Sequence, residues 1–165
     1  MTAPGRNSLP QESNMSLDNL SIAEWLVVGR QAETLWVERL RRLAAACATQ
    51  DPQLSDELGI LADEEEAHRA TLARSAEGAP LPQVWRLDES AVHRLLHQRF
   101  PALTSVARPR LDRPNLAALV DAVESECLRF YEEAAAAPGV DAEHRDLFLS
   151  LAAEERHHRE HGLLA

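Results

Sequence analysis

The amino-acid sequence predicts an all-α fold, a four-helix bundle made of two duplicated helical hairpins with a long crossover from the second helix to the third. Composition is the first reason. The 165 residues include six Gly, three Phe and one Tyr, and 45 % are hydrophobic against 27 % charged. That is apolar material enough for one core, with little of what strands favour. An internal repeat is the second reason. Leu61-Ala62-Asp63-Glu64-Glu65-Glu66-Ala67-His68 returns ninety positions later as Leu151-Ala152-Ala153-Glu154-Glu155-Arg156-His157-His158, and each copy carries Glu-x-x-His. Third, each copy follows a lone glutamate at nearly equal separation, Glu33 before Glu65 and Glu124 before Glu155. A helical hairpin repeated in tandem, with a long connection between copies, makes a four-helix bundle with one crossover.

Residues 1–20 are rich in Ser, Asn, Pro and Gln, which predicts a disordered N-terminal arm ahead of a bundle over 21–165. Ser21-Ile22-Ala23-Glu24 matches a capping box, with Leu20 and Trp25 placed for a hydrophobic staple, so the first helix starts there. Ile22, Leu26, Gly29, Trp36, Leu40 and Cys47 form its stripe at helical spacing, and Glu33 falls in the gap between Gly29 and Trp36. Asp51-Pro52 supplies an N-cap and a proline at the first helical position of the second helix, which runs to about Ser75. Its stripe Leu54, Leu58, Leu61, Glu65, His68, Leu72 puts a carboxylate and an imidazole where a bundle ordinarily has Leu. Glu64 and Glu66 flank that stripe as solvated charges.

The stretch from Glu77 to Pro82 ends the second helix, and the crossover from Gln83 to Arg113 is irregular. Within it Asp88 to Phe100 forms a short helix docking through Val92, Leu95, Leu96 and Phe100. His93 and His97 have a metal-capable spacing but no carboxylate partner, and read as surface residues. Six of the seventeen Arg lie between Arg86 and Arg113; without a Gly-rich loop or interleaved aromatics they read as a solvated connection. The third helix starts at Asp112-Arg113-Pro114-Asn115 and runs through Leu116, Val120, Val123, Cys127 and Tyr131 to the alanines before Pro138-Gly139. Asp141 caps the fourth, whose stripe is Phe148, Leu151, Glu155, His158 and Gly162. A competing register, Glu154 and His157 with Ser150 and His161, lies on a polar face. Glu155 and His158 are therefore the preferred inward pair, with His161 a candidate to support the ligands from behind.

The formal charge is −10, which argues against a nucleic-acid partner and fits either a well-solvated surface or uptake of cations. Cys47 and Cys127 are too few and too far apart for a disulfide framework or a Cys-x-x-Cys site. No basic segment followed by an apolar run opens the sequence, and no apolar run reaches about 18 residues, so neither signal peptide nor membrane span is expected and the location is cytoplasmic.

Residues three apart on a helix share a face, so each Glu-x-x-His offers a carboxylate and an imidazole to one metal ion. Four carboxylates and two imidazoles aimed into a core are unfavourable without a counter-charge. Two divalent ions supply it. Carboxylate-rich, nitrogen-poor coordination suits iron or manganese, whereas structural zinc sites prefer Cys and His.

The order Glu, Glu-x-x-His, Glu, Glu-x-x-His on four helices with a long crossover resembles the ferritin-like di-iron carboxylate proteins, over roughly Ser21 to Leu164. The wording Leu-Ala-x-Glu-Glu-x-x-His is similar to the rubrerythrin or erythrin-like branch. The resemblance implies two Fe ions, with Mn or Zn as substitutes, and Glu33 and Glu124 as terminal ligands, Glu65 and Glu155 as bridges, and His68 and His158 each on one metal. Two departures stand out. Cys127 occupies the position of a further glutamate of rubrerythrins, and the chain has no rubredoxin domain with paired Cys-x-x-Cys, so a separate electron donor such as a rubredoxin-type protein is implied.

The function implied is a di-iron oxidoreductase, a peroxidase or oxidase that reduces hydrogen peroxide or dioxygen and acts as a homodimer. Tyr131 and Trp36 are candidate catalytic relays, or simply core aromatics. The alternatives are a ferroxidase of the iron-storage kind, which needs a cage assembly, and a di-iron substrate hydroxylase, which needs a pocket that the crossover would line.

Overall fold

The computed structural model describes residues 20–80, 82 and 85–161; the expected arm over residues 1–20, apart from Leu20, and the stripe position Gly162 lie outside the described residues. Regular structure among the described residues is helical throughout: α1 (Ile22–Cys47), α2 (Pro52–Gly78), α3 (Glu89–Arg99), α4 (Pro101–Thr104), α5 (Arg113–Ala136) and α6 (Ala142–His161).

The boundaries follow from local chemistry. The Ser21 hydroxyl accepts the Glu24 amide at 3.3 Å and the Glu24 carboxylate accepts the Ser21 amide at 2.8 Å, a complete capping box. Leu20 and Trp25 beside it are both buried. Asp51 caps α2 through the Leu54 amide at 2.9 Å, Asp112 caps α5 through that of Asn115 at 3.0 Å, and Asp141 caps α6 through that of His144 at 2.9 Å. α2 continues past Ser75 to Gly78 and stops where Ala79 is extended, at ψ 142°, because the ring of Pro80 excludes the helical conformation from the residue before it. Pro138 ends α5 the same way, with Ala137 at ψ 142°. Gly139 then turns the chain at φ +82°, a conformation only glycine adopts freely.

α1 packs along α2 and α5 along α6, and the two hairpins meet through α1 and α5. Gly29 lets them approach: a Cβ there would stand 3.2 Å from Phe130 Cε1 and 3.6 Å from Tyr131 Cε1. Leu26, Leu40, Leu54, Leu58, Leu72 and Leu116 are fully buried, and each such side chain stabilises the fold by about 1.5–3 kcal/mol relative to exposure. Val120, expected on the buried stripe of α5, is only half-buried.

The crossover is more ordered than its composition suggests. Asp88 caps α3 through the Ala91 amide at 2.7 Å, and Leu95, Leu96 and Phe100 are buried as the docking face, with Val92 half-buried. The single turn of α4 was not expected. It is gripped from two sides: Glu126 of α5 accepts the amides of Ala102 (2.8 Å) and Leu103 (3.2 Å), while Arg39 of α1 donates to the carbonyls of the same two residues at 2.7 Å each. The capping-box residue Glu24 also accepts the Arg86 amide at 2.7 Å, so it pins the start of the crossover as well as the start of α1. No helix among the described residues is long and apolar enough to cross a membrane.

Candidate metal centre

The bundle brings together all six side chains singled out from the repeat: Glu33 from α1, Glu65 and His68 from α2, Glu124 from α5, Glu155 and His158 from α6. They form two overlapping groups that could hold a metal ion, Glu33, Glu65, His68 and Glu155 in one and Glu65, Glu124, Glu155 and His158 in the other. In each group the candidate ligand atoms all lie within 4.8 Å of one another, and Glu65 and Glu155 belong to both. The four carboxylates have no exposed surface and His68 is nearly buried. The rings of His68 and His158 lie side by side, their centroids 5.7 Å apart and their planes 19° from parallel.

Both imidazoles are oriented alike. His68 Nδ1 is 3.0 Å from Glu65 and 3.2 Å from Glu155, and His158 Nδ1 is 3.3 Å from both Glu65 and Glu124. The outer nitrogens meet carboxylates of the opposite hairpin. His68 Nε2 lies 2.9 Å from Glu154, and His158 Nε2 lies 3.5 Å from Glu64. These two glutamates, expected to be merely solvated, are half-exposed and touch the imidazoles behind the cluster; a carboxylate on the outer nitrogen directs the inner one toward a ligand.

Glu155 and His158 face the cluster, while His157 is exposed and stacks on the exposed His161 with centroids 4.6 Å apart. His161, the candidate for support behind the ligands, lies on that exposed face. Ser150, on the same polar face, approaches Glu154 at 3.4 Å. His93 and His97 lie away on α3, their Nε2 atoms 3.1 Å apart on an exposed face.

The two aromatics considered as relays are fully buried and cross between hairpins. The Tyr131 hydroxyl of α5 donates to Glu33 of α1, and Trp36 Nε1 of α1 donates to Glu124 of α5 at 3.2 Å. Each lone glutamate is thus oriented by an aromatic donor from the other helix. Cys127 is buried among them, and burial followed by the charges of Glu155, Glu33, Glu124 and Glu65 pushes its thiol well above the usual range.

Electrostatics divides the ligands. Burial would raise the Glu65 carboxyl, but His158 and His68 outweigh it and hold it at about 2. Burial would lower the imidazoles, yet Glu65, Glu33 and Glu154 raise His68 to about 9, and Glu124 and Glu65 raise His158 to about 10. Glu33 and Glu155 are pushed well above the ordinary carboxylate range, first by burial and then by neighbouring glutamates. Without metal, protons therefore supply the missing positive charge.

A cation fits this donor set. Glu33 Oε2, Glu65 Oε1 and both oxygens of Glu155 are buried without a hydrogen bond among the described residues, although His158 and His68 approach two of them within ion-pair range. An ionised carboxylate is an acceptor only, and leaving its buried oxygens unmatched is costly. Metal ions would match them. Comparison with protein-family models, with curated proteins and with solved structures finds nothing that matches this chain.

Proposed function

We propose that the protein is a ferritin-like, rubrerythrin-like di-iron oxidoreductase built on a duplicated hairpin, reducing hydrogen peroxide or dioxygen with electrons from a separate donor protein. One observation carries the reading: Glu65 and Glu155 are common to both ligand groups, as two carboxylates shared between a pair of ions must be. Glu33 and His68 complete one metal position, and Glu124 and His158 the other. Four carboxylates then balance two divalent charges, and the binding free energy adds to folding.

An iron pair held by these six residues would supply the two electrons that, with two protons, hydrogen peroxide needs to become two waters. The chain holds that chemistry in a dry, oriented setting. Tyr131 and Trp36 fix the terminal carboxylates, and burial with the charge of Glu33 keeps the Tyr131 proton on its oxygen, available as a hydrogen-bond donor. Glu64 and Glu154 connect the outer imidazole nitrogens to solvent and offer a short route for protons to the cluster's edge.

Anaerobic Fe(II) titration followed by mixing with peroxide tests the proposal. Two Fe(II) are taken up per chain, the melting temperature rises, Glu65→Ala abolishes that rise, and one peroxide is consumed per two Fe(II) oxidised. Uptake of one ion or none, or a reduced protein inert to both peroxide and dioxygen, overturns it. The reading includes a homodimer, whose mass size-exclusion chromatography separates from the large cage that iron storage requires.

A further inference from the structure

A cleft of about 690 Å³ lies between α1 and the crossover, within the size range of small-ligand sites. It does not depend on the metal reading. Its α1 wall carries Leu35, Arg39, Arg42 and Ala46; at about 3.6 residues per turn, Arg42 stands on the opposite side of the helix from Glu33. The facing wall comes from α3, α4 and the segment after them.

Two features define what the cleft accepts. Leu35, Leu43, Leu96, Leu103 and Leu111 make its surface largely apolar, and Leu111 remains part-exposed at 38 %. Its polar members are Arg39, Arg42, Arg108, His93, His97 and the hydroxyls of Thr104 and Ser105, and none of its lining residues is acidic although the chain as a whole carries −10. The positive charge is poorly compensated. Arg42 has only Glu38 at 3.7 Å, an exposed pair, and Arg108 has no hydrogen bond or ion pair among the described residues. Arg39 is held rigid because Nη1 donates to the Ala102 and Leu103 carbonyls, which leaves the hydrogens on Nε and Nη2 for a ligand. Burial first, and then the charge of Arg42, lower its guanidinium below the usual value, with Glu126 offsetting only in part.

We infer that this cleft binds an anionic amphiphile, a carboxylate on an unbranched apolar tail, with the headgroup at the arginines and the tail along the leucines. Arginine matches a carboxylate with two parallel hydrogen bonds. The apolar wall contributes in proportion to the tail buried against it.

Isothermal titration of the purified protein with decanoate, decanol, decyltrimethylammonium and acetate tests this. Decanoate binds at a single site per chain, and decanol and acetate bind about tenfold more weakly or less, since each lacks one half of the recognition. The quaternary ammonium does not compete. Arg42→Glu with Arg108→Glu, two exposed positions whose change leaves the melting temperature intact, weakens decanoate by about tenfold or more while sparing decanol. Ala46→Trp, which fills the cleft, weakens both. Absence of decanoate binding, equal binding of the anionic and cationic amphiphiles, or decanoate binding that survives the charge reversal would each overturn the inference.

Discussion

His68 of α2 faces two ways: Nδ1 lies 3.0 Å from Glu65 of its own helix and Nε2 lies 2.9 Å from Glu154 of α6. The same relationship recurs between His158 and Glu64, the corresponding residues of the other hairpin, at the looser distance of 3.5 Å. Two hairpins therefore lock each other's imidazoles, with the lock tighter on the His68 side.

Removing the lock should cost metal affinity without removing a ligand. Glu154→Ala is expected to weaken metal binding by about 10–100-fold, the usual range for groups behind a ligating histidine. Glu64→Ala should have the smaller effect because its contact is longer. Competition with a chelator of known affinity measures both; a larger loss at Glu64 would contradict this assignment.

Tyr131→Phe and Trp36→Phe each strip a donor from a carboxylate that has no exposed surface. An unmatched buried acceptor costs about 1–3 kcal/mol. Urea unfolding of the metal-free protein should show a loss of that size for each, and an unchanged midpoint for Tyr131→Phe would show that its hydroxyl contributes nothing to Glu33.

The metal-free protein should lose stability as pH rises. His68 and His158 have folded values raised to about 9 and 10 from an ordinary 6.5, so their contribution is complete below about pH 6.5 and vanishes as pH passes through those values. Glu33 and Glu155 are also raised, so ionising them at higher pH works against the fold in the same sense. Glu65 runs the other way: held at about 2, its contribution is lost only as pH falls below the ordinary carboxylate range toward that value. Melting temperatures of metal-free protein between about pH 6 and 10 should fall steadily, while metal binding, which displaces these protons, strengthens with pH. A metal-free melting temperature that climbs across that window would refute the proton inventory.

Glu126 is the hinge pin of the crossover. Glu126→Ala leaves the Ala102 and Leu103 amides without their acceptor and should destabilise the protein by about 1–3 kcal/mol. Hydrogen exchange should accelerate at residues 102–104 while the middle of α2 keeps its protection. Uniform acceleration along the chain would mean that the clamp holds the whole fold and not the crossover alone.

Much of this was legible without tertiary structure because it is local. Caps at Ser21, Asp51, Asp112 and Asp141 and stops before Pro80 and Pro138 act within a turn or two of their own residue. Helical spacing assigns a side chain to a face, which is how Glu33, Glu65, His68, Glu124, Glu155 and His158 were read as inward from the repeat. The same logic puts Glu64 and Glu154 in solvent, where both are exposed, but does not reveal that they also reach His158 and His68: whether a residue beside a stripe touches a neighbouring helix depends on how the helices are rotated.

The sequence by itself determined the helices other than α4, their order and the inward face of each hairpin, since these depend on backbone conformation and on periodicity along one chain segment. Only the tertiary structure decided that Tyr131 reaches Glu33, that Trp36 reaches Glu124, that Glu154 backs His68 and that Glu126 and Arg39 clamp α4. Those contacts join residues far apart in the chain, and they depend on the rotation and close approach of α1 against α5 across Gly29, which no spacing within a single helix encodes.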